Sequence, residues 1–383
     1  MKILSTDLQE LNGLSQRVGG LVTATYSFDV ENHANCEKIA VQIATGQTLG
    51  YLPEHLEYYT DYVGRVLDVS HDQGRGRAKI VFPARLFGND VSGLLTVLFG
   101  KISFYPNLKL ESIDADETYL KGLQGPRFGY SGIRHLAGKA TTNSPLLMAI
   151  LKPGIGPSDK PLAEQFAKLI DAGTDLVKDD ETRIDITLED SLRRLELVRN
   201  STDGRGIYVT HLTGPAFELK SRALKLQSHG AQAFLFCPFT YGLANLQALC
   251  QDHEIKVPIF AHPALTGPLT TGGSSVSPRV VLGKVMRWAG CDAVLFPSPY
   301  GSIALSKNEA VALHQALVGP EDRLKKVASV PSAGIMPDMV ASIRADFGES
   351  VIINAGTGMA KSGDSIEDGA RAFLKSIQEC FPQ

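Results

Sequence analysis

From Leu147 onward, short apolar runs rich in β-branched residues alternate with longer stretches whose apolar positions recur every three to four residues. The first kind predicts strands, since a strand buried on both faces reads as a continuous apolar segment; the second predicts amphipathic helices. Strands are expected at 147–152, 174–178, 207–210, 233–237, 257–261, 293–296, 328–331 and 350–354. Helices are expected after them, at 161–171, 188–200, 215–228, 246–250, 278–289, 307–317, 337–347 and 366–379. Several open with proline near the first helical position, where its missing N–H costs nothing. Eight strand-then-helix units over roughly 240 residues match a (β/α)8 TIM barrel. A doubly wound open sheet is the alternative, but no GxGxxG fingerprint follows the first strand.

The first 140 residues have a different rhythm, with strands expected at 21–28, 64–71, 77–82 and 108–113 and helices at 36–45 and 91–99. This mixture predicts a small N-terminal α+β domain over 1–140, followed by a barrel over 141–383 whose site lies at the carboxyl ends of the strands. The stretch 137–144, with Gly138, Thr141, Thr142 and Asn143, is the expected junction.

Composition narrows the function. A chain of 383 residues that is 43% hydrophobic can bury a large core. A net charge of -3 and a pI near 6.3 argue against a nucleic-acid surface, and the apolar runs stop well short of the roughly 20 residues that span a bilayer. Met1 to Asp7 lacks the order of a secretory signal. The five cysteines are scattered, odd in number and without CxxC spacing, so a reducing cytoplasm is the expected location.

The chemistry gathers at the strand ends, which converge on one rim if the barrel closes. They offer Lys152, Lys178-Asp179-Asp180-Glu181, His211, Cys237, His262, Ser298, Ser332 and the run from Asn354 to Gly358. Asp180 and Glu181 are hard oxygen donors suited to Mg²⁺, and Lys178 becomes a third if its neutral amine captures CO₂ as a carbamate. Like charges about 4 Å apart repel by roughly 4 kcal/mol at an effective dielectric near 20, so such a trio requires a divalent cation. The competing reading is an unmodified Lys178 that pairs with the acids at a solvated loop. Pro331-Ser332-Ala333-Gly334 and Asn354-Ala355-Gly356-Thr357-Gly358 end the seventh and eighth strands, where barrels commonly hold phosphate with backbone N–H groups. Thr271-Gly272-Gly273-Ser274-Ser275 is either part of a lid or an idle surface loop.

These residues resemble the large subunit of ribulose bisphosphate carboxylase (RuBisCO), and more closely the RuBisCO-like proteins that share its fold without fixing carbon. The likeness runs through Phe99-Gly100-Lys101, Gly125-Pro126-Arg127-Phe128-Gly129, Lys152-Pro153, the run Gly173 to Glu181 and the glycine turns of the last two strands. It implies that Lys178 is carbamylated by CO₂ and holds Mg²⁺ together with Asp180 and Glu181. It also implies that Lys152 and His262 line the substrate pocket and that Ser332, Gly334, Gly356 and Thr357 lie near the phosphate. In this family the first domain of one subunit covers the barrel mouth of its partner, which implies a homodimer.

Departures from the carboxylase point away from carbon fixation. Gly154 and Pro263 stand where it has a lysine and an arginine, and the loop after the sixth strand reads Phe296-Pro297-Ser298-Pro299-Tyr300-Gly301-Ser302 where a lysine is needed. The segments 296–301, 330–334 and 352–356, along with Phe99-Gly100-Lys101, look most like the branch acting as 2,3-diketo-5-methylthiopentyl-1-phosphate enolase in methionine salvage, in which Lys101 is the implied general base. Thr357-Gly358-Met359-Ala360-Lys361 departs from the glycine- and histidine-rich continuation of that branch. A decarboxylase or isomerase of another sugar-acid phosphate, and a silent binding or regulatory barrel, are the alternatives.

Overall fold

The computed structural model describes residues 8–141, 144–156, 158–320 and 323–381; Thr142 and Asn143 of the expected junction lie outside them, as do residues 1–7. The chain forms two compact units. One takes the chain up to Gln124, the segment Leu265–Trp288 and a short stretch ending at Leu324, and the other takes Gly125–Ala264, Ala289–Pro320 and the chain from Lys325 onward.

In the first unit, β1 (Leu21–Asp29), β2 (Arg65–Asp72), β3 (Arg75–Pro83) and β4 (Lys109–Ala115) form an antiparallel sheet in the order β4-β1-β3-β2. Central β1 buries neighbours of both parities, Val22, Ala24, Thr25 and Tyr26, as a strand covered on two faces must. Helix His33–Gly46 packs on β2 and β3 through Cys36, Ala40, Ile43 and Ala44, the i, i+4, i+7, i+8 stripe of an amphipathic helix. Helix Leu8–Val18, which the hydrophobic pattern did not predict, adds Leu14 and Val18 to a cluster with Leu21 and Val81. The β2–β3 hairpin turns on Gln73 and Gly74, with φ of 45° and 80°; both are positive, as a twist-matched two-residue turn requires.

The second unit starts with β5 (Leu146–Ile150), β6 (Leu176–Lys178), β7 (Ile207–His211), β8 (Ala233–Phe236) and β9 (Ile259–Ala261). The chain then leaves to place β10 (Ser275–Val276) parallel to β4 at the edge of the first sheet, and returns for β11 (Ala293–Pro297), β12 (Ala328–Ser332) and β13 (Ile352–Ala355). These eight strands are parallel in the order β12-β11-β9-β8-β7-β6-β5-β13, and the bridge Ser329–Val351 joins the two ends into a ring. The expected barrel is present, with strand ends shifted by one or two residues. The 271–275 loop is anchored at its far end, where Ser275 pairs with Lys109. Among the described residues no helix is long and apolar enough to cross a membrane, and all five cysteines are free.

One cluster fills the ring: Leu146 and Met148, Leu176, Ile207 and Val209, Ala233 and Leu235, Phe260, Ala293 and Leu295, Ala328 and Val330, and Ile352. Tyr130 and Ile133 of helix Gly129–Leu136 join it. Because side chains alternate along a strand, this cluster fixes which later positions face the ring interior.

Candidate active site

Counting onward by twos from the core residues reaches Lys178, His211, Ser332 and Asn354 within their strands, which share the phase of the barrel interior, while Lys152, Cys237 and His262 follow just past the ends of β5, β8 and β9. Lys178 is wholly buried, with its Nζ 2.9 Å from the Asp179 carbonyl and 3.6 Å from Glu181 Oε2. Lys152 donates to Asp180 Oδ2, and Thr182 donates to Asp180 Oδ1 through both its backbone N–H and its hydroxyl. His262 Nε2 lies 3.4 Å from Glu181 Oε2. Lys152, Lys178, Asp180, Glu181 and His262 are therefore brought together.

Burial sets the electrostatics. It lowers the Lys178 amine below the usual lysine value, against the opposing pull of Glu181, Asp180 and Asp179, and so favours the neutral form that is nucleophilic toward CO₂. Asp180 is also pushed up by burial, but its bonds from Lys152 and Thr182 prevail and hold it at about 2. Burial lowers His262 to about 3, so its ring is neutral at pH 7. His262 Nδ1 accepts the Ala264 N–H at 3.2 Å, which places the ring proton on Nε2, facing Glu181.

Asp179, the first acid of the run, turns away. Its carboxylate accepts from the Tyr208 hydroxyl, from Arg194 Nη2 at 3.1 Å and from the His211 backbone N–H at 2.9 Å. Arg194, itself wholly buried, also donates to both Asp185 oxygens at 2.6 Å and to Tyr208 at 2.9 Å. This network under the turn was not foreseen, since Arg194 reads in the sequence as an ordinary polar position of helix Leu188–Asn200. A capping box of Thr187 and Asp190 starts that helix and fixes where Arg194 emerges.

Gly154 is a close-approach residue, because a Cβ there would lie 2.3 Å from Asp180 Cβ. The departure from the carboxylase at this position is thus matched by the seat of Asp180. Ser332 Oγ donates to the Val330 carbonyl and accepts from Asn354 Nδ2 at 2.8 Å, linking the ends of β12 and β13. Ala333 and Gly334 follow with φ of 71° and 83°, and a Cβ on Gly358 would meet the Ile335 carbonyl at 1.9 Å. Ser332 and Gly334, at the end of β12 and in the turn after it, and Gly356 and Thr357, at the start of the short helix Thr357–Lys361, therefore lie in two segments in close contact. Lys101 lies in the first unit, exposed at the start of the short turn Lys101–Phe104, with its Nζ 3.7 Å from the Cβ position of Gly46.

The donors suit a hard divalent cation. Among the described residues no group of three His, Cys, Asp or Glu side chains is arranged to hold a metal. This site has two carboxylates, Asp180 and Glu181, beside one buried amine, Lys178.

Comparison with known proteins accounts for the pattern. The 2,3-diketo-5-methylthiopentyl-1-phosphate enolase of Bacillus cereus (strain Q1) is 38% identical over 381 residues, covering 93% of this chain and 91% of that protein. The enolase of the same description from Bacillus mycoides (strain KBAB4) is 37% identical over 382 residues, covering 93% and 92%. The crystal structure of a RuBisCO-like protein from Alicyclobacillus acidocaldarius matches with a TM-score of 0.83 at 33% identity, covering 93% of each chain. The octameric RuBisCO of Pyrococcus horikoshii matches in fold, with a TM-score of 0.84 at 24% identity over 94% of this chain and 88% of that one. No family model matches. With this identity over nearly its whole length, and with the ring, the inserted β10 and the lysine-acid turn described above, the chain belongs to the RuBisCO-like proteins and carries the RuBisCO large-subunit fold.

Proposed function

We propose that this protein is a Mg²⁺-dependent enolase that removes a proton next to a carbonyl of a phosphorylated diketone of the 2,3-diketo-5-methylthiopentyl-1-phosphate type. The observation that carries the reading is Lys178, buried in the phase of the barrel interior beside Asp180 and Glu181, in a chain 38% identical to enolases of that name.

The neutral Lys178 amine attacks CO₂, forming an N–C bond and releasing a proton to solvent. The resulting carbamate, Asp180 and Glu181 are the residues that hold Mg²⁺. When bound, the cation supplies a Lewis acid that stabilises negative charge developing on substrate oxygen. His262, with its proton on Nε2, fixes the orientation of Glu181. Lys152 contributes a positive charge beside Asp180, within reach of the substrate. The loops bearing Ser332, Gly334, Gly356 and Thr357 receive the phosphate with backbone N–H groups.

Lys101 is the base: its neutral amine takes the proton from carbon, the C–H electron pair becomes the C=C bond, and the carbonyl π pair moves to oxygen, which takes a proton from solvent to give the enol. In the single chain Lys101 is exposed, whereas a lysine base needs a desolvated site to be neutral near pH 7. A homodimer in which Lys101 enters the partner's barrel mouth provides that environment.

The test is incubation with the diketone phosphate, Mg²⁺ and bicarbonate in deuterated solvent, following enol formation by ultraviolet absorbance and exchange by NMR while trapping CO₂. Enol formation with deuterium incorporation and no CO₂ release supports the reading. Release of CO₂ from a 3-oxo acid phosphate, without exchange of the diketone, replaces it with a decarboxylase. No turnover of either substrate, with no Mg²⁺ binding, would leave a silent barrel.

A further inference from the structure

His211 stands apart from the groups assigned above: it is fully buried and in phase with Lys178, yet the proposed chemistry does not use it. Its backbone N–H and both ring nitrogens are engaged. Its backbone N–H donates to Asp179 Oδ2 at 2.9 Å. Its Nδ1 lies 2.9 Å from the Arg183 carbonyl, and since a carbonyl only accepts, Nδ1 carries the proton. Nε2 is then the acceptor, facing Cys237 Sγ at 3.5 Å, and the thiol donates to it. Burial pushes the Cys237 thiol up to about 12, which keeps that donor protonated.

Asp179 and Arg183 are the two ends of the five-residue turn that carries Asp180 and Glu181. The turn is closed internally by the Arg183 N–H bond to the Asp180 carbonyl at 3.0 Å. One residue on the adjacent strand β7 therefore grips both ends of the segment bearing the two carboxylates, while the strand pairing of Lys178 with Val209 fixes the third member of the set.

We infer that His211 is a positioning residue: through the Nδ1–H bond to Arg183 it holds Asp180 and Glu181 at the spacing from Lys178 that Mg²⁺ requires. This deepens the proposed function and rests on its metal site. Cys237 supports that tautomer, because its thiol donates to the Nε2 that the Arg183 contact leaves unprotonated.

The full-length protein is tested with MgCl₂ alone as probe, at saturating ¹³C-bicarbonate, by isothermal titration for the Mg²⁺ midpoint and by ¹³C NMR for the carbamate. His211→Ala is expected to raise the Mg²⁺ midpoint about tenfold. His211→Asn, whose side-chain N–H reaches the place of Nδ1–H, is expected to return it to within about threefold of the parent. His211→Gln, which places its N–H at the position of Nε2, is expected to behave like the alanine variant, and it serves if that variant does not fold. A general loss of packing would shift the melting temperature in all three without separating Asn from Gln. A parental midpoint in the alanine or glutamine variant, or equal midpoints for Asn and Gln, overturns the inference and leaves the metal site standing. A parent protein with neither carbamate signal nor Mg²⁺ binding overturns the metal site itself, and the inference with it.

Discussion

Replacing Arg194 by Met tests how much the buried network under the acidic turn contributes. The guanidinium makes four hydrogen bonds: two to Asp185, one to Asp179 and one to Tyr208. Methionine fills a similar volume but leaves Asp179 without its cation in a dry interior, and Asp185 with only Arg183, whose Nε lies 3.5 Å away. Removing one partner of a buried ion pair costs about 3–5 kcal/mol, mostly as the penalty on the stranded charge. At about 2–4 °C per kcal/mol for a unit of this size, the melting temperature should fall by roughly 6–20 °C. Burial pushes the Asp185 carboxyl up, but Arg194 and Ser191 prevail and keep it below the ordinary value. In the parent this group binds fewer protons folded than unfolded, so its stabilisation is complete above the unfolded carboxylate pKa and is lost as pH falls through the folded one. In the variant burial is opposed only by Ser191 and Arg183, so the folded pKa rises from its parental value and acid costs the variant less than it costs the parent. The stability gap should therefore narrow from pH 7.5 to pH 4.5 in urea denaturation, and Asp185→Asn added to Arg194→Met should recover part of the loss. A loss below about 1 kcal/mol, or a gap that stays constant or widens with acid, would refute the reasoning.

Other outcomes follow from the same geometry. Lys101→Ala should abolish enol formation while leaving Mg²⁺ binding by titration within about twofold of the parent, and a near-normal rate removes Lys101 as base. Lys178→Met should abolish bicarbonate-dependent Mg²⁺ binding without lowering the melting temperature in metal-free buffer, because burial disfavours the ammonium it replaces. Gly154→Ala should cost about 1–3 kcal/mol in urea denaturation and weaken Mg²⁺ binding, since its Cβ would displace Asp180; unchanged binding removes the close-approach role. Gly369→Ala should destabilise by a similar about 1–3 kcal/mol with Mg²⁺ affinity intact, because its Cβ would lie 1.8 Å from the Met359 carbonyl.

The barrel strands were legible because each is a short continuous apolar run, and Lys178, His262 and Ser332 were legible because they close such runs. What escaped depends on contacts distant in sequence. Ser275–Val276 is too short to show a period and becomes a strand only because β4 offers an edge. Gly129–Leu136 is a helix whose Tyr130 and Ile133 are buried by strands far along the chain. The expected 278–289 helix is present, but its first part is a π-helix, Arg279–Lys284, which a 3.6-residue period does not reveal. In the site, the acid pair could be read from one tetrapeptide, whereas the outward turn of Asp179 needed the positions of Tyr208, Arg194 and His211.

The recruitment of Ser275–Val276 has a consequence for synthesis of the chain. When the ribosome has finished β4, the outer edge at Lys109 and Leu110 still lacks its neighbour, which is encoded beyond five of the barrel strands. Until then the nascent sheet exposes unpaired backbone that other chains can engage. Cleaving the gene after Gln124 would make that exposure permanent, so a freestanding amino-terminal fragment should self-associate unless residues 265–288 are supplied in trans.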